Sequence, residues 1–93
     1  MKTGRDHAYA SLAMVDALGS HIVFRESRIL PRSRDSLRPQ VYRTGERYHL
    51  QGIFLSDDFK QEGHYEFVCM LIAPGSALLA PWSFVERDAE LAS

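Results

Sequence analysis

The longest stretch without a charged side chain runs from Phe67 to Val85 and is flanked by Glu66 and Glu86. Pro74 and Gly75 stand near its middle, where proline suits the second position of a tight turn and glycine supplies the positive backbone angle that follows. The pattern therefore predicts a hairpin of two buried strands that turns at Pro74-Gly75.

This hairpin would place aromatic side chains opposite each other, with Phe67 facing Trp82 and Tyr65 facing Phe84. A register shifted by one residue is the alternative. Pro81 cannot donate a backbone hydrogen bond, so the second strand is predicted to lie at a sheet edge or to be bulged at Pro81. The first strand is apolar at every position from Phe67 to Ile72, which predicts an interior strand covered on both faces.

A run this long without charge also matches the length of a membrane-spanning helix. Pro74 and Pro81 oppose that reading, because each removes a helical hydrogen bond and clashes with the preceding turn. We therefore expect no membrane association.

Residues 6–18, DHAYASLAMVDAL, have apolar side chains at helical spacing and many alanines. Thr3 or Asp6 can cap the start of a helix here, and Gly19 suits its end. Such a short helix is marginal alone, so we expect it to dock on the sheet.

The remaining segments predict strands and loops. Residues 21–30 form a strand that is bent or frayed in its second half, and residues 31–39, with two prolines, form a loop. A further strand covers residues 47–55, where Gly52 marks a bulge or a close backbone approach. The tail after Arg87 is expected to be frayed.

Together these elements predict one α+β domain over residues 1–93. One N-terminal helix packs on a sheet of four or five mostly antiparallel strands, with a small partial barrel as an open alternative. A chain of 93 residues with 45% hydrophobic and 25% charged residues fits a single globular domain.

The single cysteine, Cys69, lies in the most apolar strand and predicts a buried core thiol rather than a nucleophile. Asp6 and Asp16 interrupt the first apolar segment, which argues against a signal peptide. An unpaired cysteine and no convincing leader predict a cytoplasmic protein.

Charge is divided unevenly along the chain. Residues 20–56 hold seven arginines and three acidic residues, whereas residues 57–93 hold two basic and seven acidic residues. Arginines and tyrosines alternate in the basic part, and this combination can grip phosphates and stack on bases. The candidate anion- or partner-binding residues are Arg28, Arg32, Arg34, Arg38, Tyr42, Arg43, Arg47 and Tyr48.

Two arginine pairs, Arg28 with Arg32 and Arg34 with Arg38, have an RxxxR spacing that resembles the cyclic-dinucleotide element of PilZ domains. The second element of that family, D/N-x-S-x-x-G, has no counterpart in residues 55–63. The chain is therefore not assigned to this family.

Other chemistry finds little support in the pattern. An acidic turn explains Asp57, Asp58, Glu62 and His64 better than a metal site, because no metal-binding spacing accompanies them. Ser76 lacks the glycine pattern of a nucleophile elbow. The sequence predicts no catalytic residue, no metal and no cofactor, so an enzyme is the less favoured reading.

The leading hypothesis is a small non-catalytic protein-interaction module, regulatory or inhibitory, that forms a homodimer or binds another protein. Its binding edge would lie near Pro81 or in His21–Phe24, where a partner could add a strand. The alternative is an anion-binding module for nucleic acid or a nucleotide that uses the arginine-rich residues 25–47.

Overall fold

The computed structural model describes residues 12–34 and 40–92, apart from the side chain of Arg28, and shows a small mostly-β domain. Nine elements follow one another in this part of the chain: α1 (Met14–Ala17), β1 (His21–Phe24), β2 (Arg28–Ile29), β3 (Val41–Tyr42), β4 (Tyr48–Ser56), β5 (Glu66–Ala73), β6 (Ser76–Pro81), α2 (Trp82–Asp88) and β7 (Ala89–Leu91).

Five of the strands form one sheet in the order β6-β5-β4-β1-β7, and each pair of neighbours is antiparallel. β2 and β3 form a separate two-stranded ribbon. The sheet is open, because its edge strands β6 and β7 do not pair, and the alternative of a partial barrel is wrong. α2 links the two edge strands, which lie at opposite ends of the sheet order.

The hairpin of β5 and β6 confirms the predicted turn. Ala73 pairs with Ser76 across Pro74-Gly75, and Gly75 has a φ of 76°, the left-handed region that glycine adopts without strain. The register continues as predicted to Val68, which pairs with Pro81.

Beyond Pro81 the prediction of a second long strand is wrong, because α2 begins at Trp82. Proline has no N–H group to donate to a neighbouring strand, whereas the N–H groups at the start of a helix have no partner within the helix, so the missing donor costs nothing there. Trp82 and Phe84 therefore leave the sheet, and Phe67 pairs with Leu55 of β4 instead. The predicted edge position of the strand that ends at Pro81 is confirmed.

β4 contains the bulge that its glycine predicted. Leu50 pairs with Leu71 and Gly52 pairs with Met70, so Gln51 is an extra residue on β4. The extra residue reverses which side chains of β4 face the core. Leu50 points into the core before the bulge, and Ile53 packs against the core after it.

The hydrophobic core lies on one face of the sheet, which we call the covered face. Trp82 and Val85 of α2, Tyr42 of the ribbon and the segment that includes Leu12 and Ala17 pack there. The opposite face, which we call the outer face, carries alternate residues of each strand, including Phe54, Met70, Ile72 and Leu79.

The prediction that β5 is covered on both faces is wrong. β5 is an interior strand, but Met70 on its outer face is 36% exposed. The two short helices and the ribbon make one covering layer within the described residues, and that layer lies on the other side. Val68 is nevertheless fully buried on the outer face.

The two ends of the chain differ from their predictions in different ways. Residues 6–11 of the predicted helix lie outside the described residues, and within the described part the helix is limited to Met14–Ala17. The predicted frayed tail is wrong, because Ala89–Leu91 form β7 and pair with β1. Backbone bonds from Arg25 to Asp88 and from Ala92 to His21 extend this pairing at both ends.

We expect Trp82→Ala to lower the free energy of unfolding by about 3–5 kcal/mol, because it removes a large side chain from the core. Urea denaturation followed by circular dichroism measures the loss. Val15→Ala is the control, since Val15 is 86% exposed and its truncation should change stability little. Equal effects of the two substitutions would contradict the packing of Trp82.

Candidate functional site

The structure does not gather the predicted arginines into one site. Arg38 lies outside the described residues, and of Arg28 only the backbone, in β2, is described. Arg32, Arg43 and Arg47 are exposed, at positions before and after the ribbon strand β3. Tyr42 and Tyr48, the predicted stacking residues, are both buried and offer these arginines no exposed ring.

Arg34 is bound within the chain itself. Its Nη2 donates to the carbonyl oxygens of Asp57 at 2.8 Å and Lys60 at 2.9 Å, and its Nη1 lies 3.2 Å from Asp57 Oδ1. The Arg34 backbone N–H also donates to the Asp58 carbonyl at 2.8 Å. These contacts fasten the segment after β2 to the turn that follows β4, so the visible role of Arg34 is structural.

The carboxylate of Asp57 is held in the same turn. The backbone N–H of Gly63 donates to Asp57 Oδ2 at 3.0 Å. This bond, with a smaller contribution from Arg34, lowers the pKa of Asp57 below its ordinary value. The carboxylate of Asp57 therefore has structural partners within the turn and is not presented as an open metal ligand.

Tyr42 and Tyr48 belong to the core. The ring of Tyr42 stacks on Phe24 with centroids 3.6 Å apart, and Tyr48 meets the same Phe24 edge-on at 5.7 Å. The Tyr48 hydroxyl accepts the backbone N–H of Arg43 at 3.2 Å, and burial raises the pKa of Tyr48. Neither tyrosine presents an open face on which a base could stack.

The sequence reasoning missed Asp88, a buried carboxylate at the end of α2. The Tyr42 hydroxyl donates to Asp88 Oδ2 at 2.7 Å, and Arg87 Nε and Nη2 donate to the two carboxylate oxygens at 2.8 and 3.1 Å. Arg87 also lies 4.7 Å above the ring of Phe84. In the sequence, Glu86-Arg87-Asp88 resembles an exposed charged tail and gives no sign that Asp88 is buried. Its burial follows from α2, which places Asp88 against Tyr42 of the ribbon.

The residues weighed for catalysis or metal binding are not assembled either. Within residues 12–34 and 40–92, no three His, Cys, Asp or Glu side chains are grouped so as to hold a metal ion. Lys60, Gln61 and His64 line a shallow depression, and all three are exposed. Cys69 is fully buried, and desolvation raises its thiol pKa to about 12.

Two of the sheet edges are poorly suited to bind a partner strand. The side-chain amide of Gln40 pairs with β6, since its Nε2 donates to the Leu79 carbonyl at 3.1 Å and its Oε1 accepts the Leu79 N–H at 3.0 Å. Pro81, two residues further along the same edge, has no N–H. At the other edge, β7 is only three residues long.

β1 is not an edge strand. His21–Phe24 lies between β4 and β7, so the prediction that this strand offers a binding edge is wrong. The residues that were expected to fray form β7, which pairs with β1 on the side away from β4. β1 is also shorter than β4 and pairs with it only at Tyr48 and His49. Backbone hydrogen bonds of Gly19 and Ser20 extend this contact to Leu50.

Among residues 12–34 and 40–92, no strand pairs with the second half of β4 on the side away from β5. The Gln40 side chain binds the N–H and C=O groups of Leu79 from outside the sheet, so these groups point away from β5. Leu79 and its partner Met70 are therefore a non-bonded pair, and the N–H and C=O groups of Met70 point toward Gly52 of β4. Bonded and non-bonded pairs alternate along an antiparallel ladder. It follows that Ile53 and Leu55 direct their N–H and C=O groups away from β5.

No backbone hydrogen bond from the rest of the described residues reaches that side of Ile53 or Leu55. We call residues 51–56 of β4 the open edge. It contains no Asp, Glu, Lys or Arg, and the protective charges that usually blunt such an edge are therefore missing from it. The bulge at Gln51 is the one edge-limiting device there.

Apolar side chains surround the open edge on both faces of the sheet. Phe54 is 38% exposed on the outer face, and on the other face Leu55 is 60% and its neighbour Phe67 is 47% exposed. Tyr65, just before β5, is exposed as well. Exposed apolar groups combined with unpaired backbone groups are characteristic of a surface that binds an extended chain.

Comparison of the chain with models of known protein families, with curated protein sequences and with solved structures gave no match. Among the described residues, no helix combines the length and the apolar character that crossing a bilayer requires.

We expect Tyr42→Phe to reduce the free energy of unfolding by about 1–3 kcal/mol, since it leaves a buried carboxylate with one donor fewer. Chemical denaturation measures the change. Tyr65→Phe is the matched control, because Tyr65 is exposed and no hydrogen bond of its hydroxyl is seen in the described structure. A loss as large for Tyr65→Phe as for Tyr42→Phe would argue against the Asp88 bond.

Cys69 should react with a thiol reagent only after unfolding, because the folded chain buries the thiol and raises its pKa to about 12. The raised pKa stabilises the fold while the thiol is neutral in both states. Above the unfolded thiol pKa of about 8.5, that contribution should fall as pH rises. Reaction with Ellman's reagent in the presence and absence of urea is the measurement, and rapid reaction of the folded chain would contradict the burial.

Proposed function

We propose that this chain is a small non-catalytic protein-interaction module, of a regulatory or inhibitory kind, that binds a partner through the open edge of β4. The observation that supports the proposal is the outward orientation of the Ile53 and Leu55 backbone groups in an uncharged strand. A partner in extended conformation would pair with these groups and add a strand to the sheet.

The surrounding side chains would give such binding its selectivity. An added strand places alternate side chains on opposite faces of the sheet. On the outer face its side chains would meet Phe54, and on the other face they would meet Leu55 and Phe67. The proposal therefore favours an extended segment with apolar residues on both faces and few charges.

Anion binding is the weaker alternative proposal. It is supported by the exposure of Arg32, Arg43 and Arg47. Its stacking partners Tyr42 and Tyr48 are buried, however, and Arg34 is engaged with the turn after β4. Salt-sensitive binding of a single-stranded oligonucleotide that Arg43→Ala weakens would favour this alternative over the first.

Strand addition is tested with short synthetic peptides in which apolar residues alternate with threonine, selected from a library for binding to the purified chain. We expect bound peptide to slow amide hydrogen exchange at Ile53 and Leu55, because their outward N–H groups become hydrogen-bonded. Exchange followed by NMR or mass spectrometry reports these positions.

Leu55→Pro removes one outward donor without removing a bond of the sheet, so we expect it to weaken peptide binding at least tenfold. Leu91→Pro is the matched control. Ala92 donates its N–H to the His21 carbonyl, and bonded and non-bonded pairs alternate along the ladder. The neighbouring pair of Leu91 and Ile22 is therefore non-bonded, and the Leu91 N–H also points outward. Binding that resists Leu55→Pro but is lost in Leu91→Pro would move the site to β7 and overturn the proposal.

A further inference from the structure

We propose that the partner for which the open edge is best suited is a second copy of this chain, paired antiparallel through β4 about a twofold axis at Phe54. This inference rests on the proposed function and specifies its partner and register. It predicts one sheet that spans both copies, in the order β6-β5-β4 of one copy followed by β4-β5-β6 of the other, with β1 and β7 of each copy beside the junction.

The backbone groups of the open edge are self-complementary. Each copy offers two donors and two acceptors, at Ile53 and Leu55. In an antiparallel pair centred on Phe54, Ile53 of one copy faces Leu55 of the other, and the reverse pair forms on the opposite side of the axis. Both pairs exchange two hydrogen bonds, so all the outward groups of these residues are satisfied.

The side chains agree with the same register. Phe54 of one copy lies directly opposite Phe54 of the other in the non-bonded pair, where cross-strand side chains come closest. The two rings extend the outer face with the apolar neighbours Val68 and Met70. On the covered face, Leu55 of one copy reaches Ile53 of the other and withdraws from water.

The length of the open edge also suits pairing with β4 of a second copy. Ser20 occupies the edge at Leu50, so the space for an added strand begins at Gln51. In the proposed register Gln51 faces Asp57 of the second copy, where β4 has ended and its chain turns away. The second copy therefore leaves the sheet just before it would meet β1.

Charge favours the antiparallel arrangement over the parallel one. The segment before β4 is net basic, with Arg43 and Arg47 against Glu46, and the turn after it is net acidic, with Asp57, Asp58 and Glu62 against Lys60 and the bound guanidinium of Arg34. Antiparallel pairing brings the basic end of one copy toward the acidic end of the other. Parallel pairing would bring the like charges of the two acidic turns together.

The interface is small. It engages residues 51–57 of each copy and a few neighbours, fewer than the roughly 20–30 residues per side of a standard stable interface. We therefore expect a dimer that dissociates on dilution and weakens with added salt, rather than a permanent assembly. Sedimentation over a range of concentrations and salt measures both properties.

Disulfide trapping tests the register. Cα atoms of a non-bonded antiparallel pair are about 4.5 Å apart, within the roughly 4.4–6.8 Å that a disulfide bridges. Phe54→Cys should therefore form a covalent dimer on mild oxidation. Met70→Cys is the matched control, since Met70 has a similar exposure on the same face but would lie about 20 Å from its counterpart, three strand spacings across the sheet and four residues along it. The native Cys69 is buried and should not interfere.

Charge pairing at the axis gives an independent test. Phe54→Glu and Phe54→Lys should each raise the dimer dissociation constant at least tenfold, because like charges meet at the axis, while a mixture of the two variants should form a heterodimer. Circular dichroism confirms that both variants fold. Efficient trapping of Phe54→Cys with heterodimer formation would support the inference.

The inference is overturned if the chain stays monomeric at high concentration, or if Met70→Cys is trapped as readily as Phe54→Cys. A monomer that still binds extended peptides in a way that depends on Leu55 would leave the proposed function standing with a different partner. A monomer whose edge amides are never protected by any peptide would overturn both proposals.

Discussion

Tyr42 joins three parts of the fold that are distant in the chain, and the arrangement of the covered face depends on it. Its ring stacks on Phe24 of β1, and its hydroxyl donates to Asp88 at the end of α2. The ribbon, the sheet and the last helix are thereby fixed relative to one another. Because Asp88 is buried, the hydrogen bonds that Tyr42 and Arg87 donate to it offset part of the cost of removing its charge from water. Tyr42 thereby ties the ribbon and α2, two of the elements that cover the core, to the sheet.

The one-sided cover has consequences for the exposed surface. The covering elements all pack on the same face, so the outer face keeps apolar side chains such as Met70 partly in water. β1 and β7 are short, so the second half of β4 extends beyond them with its backbone groups unpaired among the described residues. Gln40 and Pro81 meanwhile protect the edge of β6. Within residues 12–34 and 40–92, the edge of β6 is thus protected, whereas the second half of β4 keeps outward-pointing backbone groups, which is why strand addition is proposed there.

The candidate site was only partly readable in the sequence. Sequence reasoning anticipated binding at a strand edge, but it chose Pro81 and His21–Phe24, and the chain itself protects the first and covers the second. Periodicity identifies strands, whereas their order in the sheet depends on long-range pairing that no local pattern records. The aromatic and arginine segment was misleading for a related reason. Tyr42 and Tyr48 look like stacking residues beside arginines, yet both enter the core because β1 presents Phe24 to them.

The sequence by itself determined the local features whose physics is local. Pro74-Gly75 set the hairpin turn and its register, Gly52 marked the bulge in β4, Pro81 marked an edge strand, and the burial of Cys69 followed from its apolar neighbours. Only the tertiary structure decided that the chain after Pro81 becomes a helix and returns as β7, that Asp88 is buried, and that the second half of β4, rather than β1, lacks a neighbouring strand among the described residues. Those outcomes depend on which distant segments compete for the same face or edge, and the free energy of that competition belongs to the whole fold.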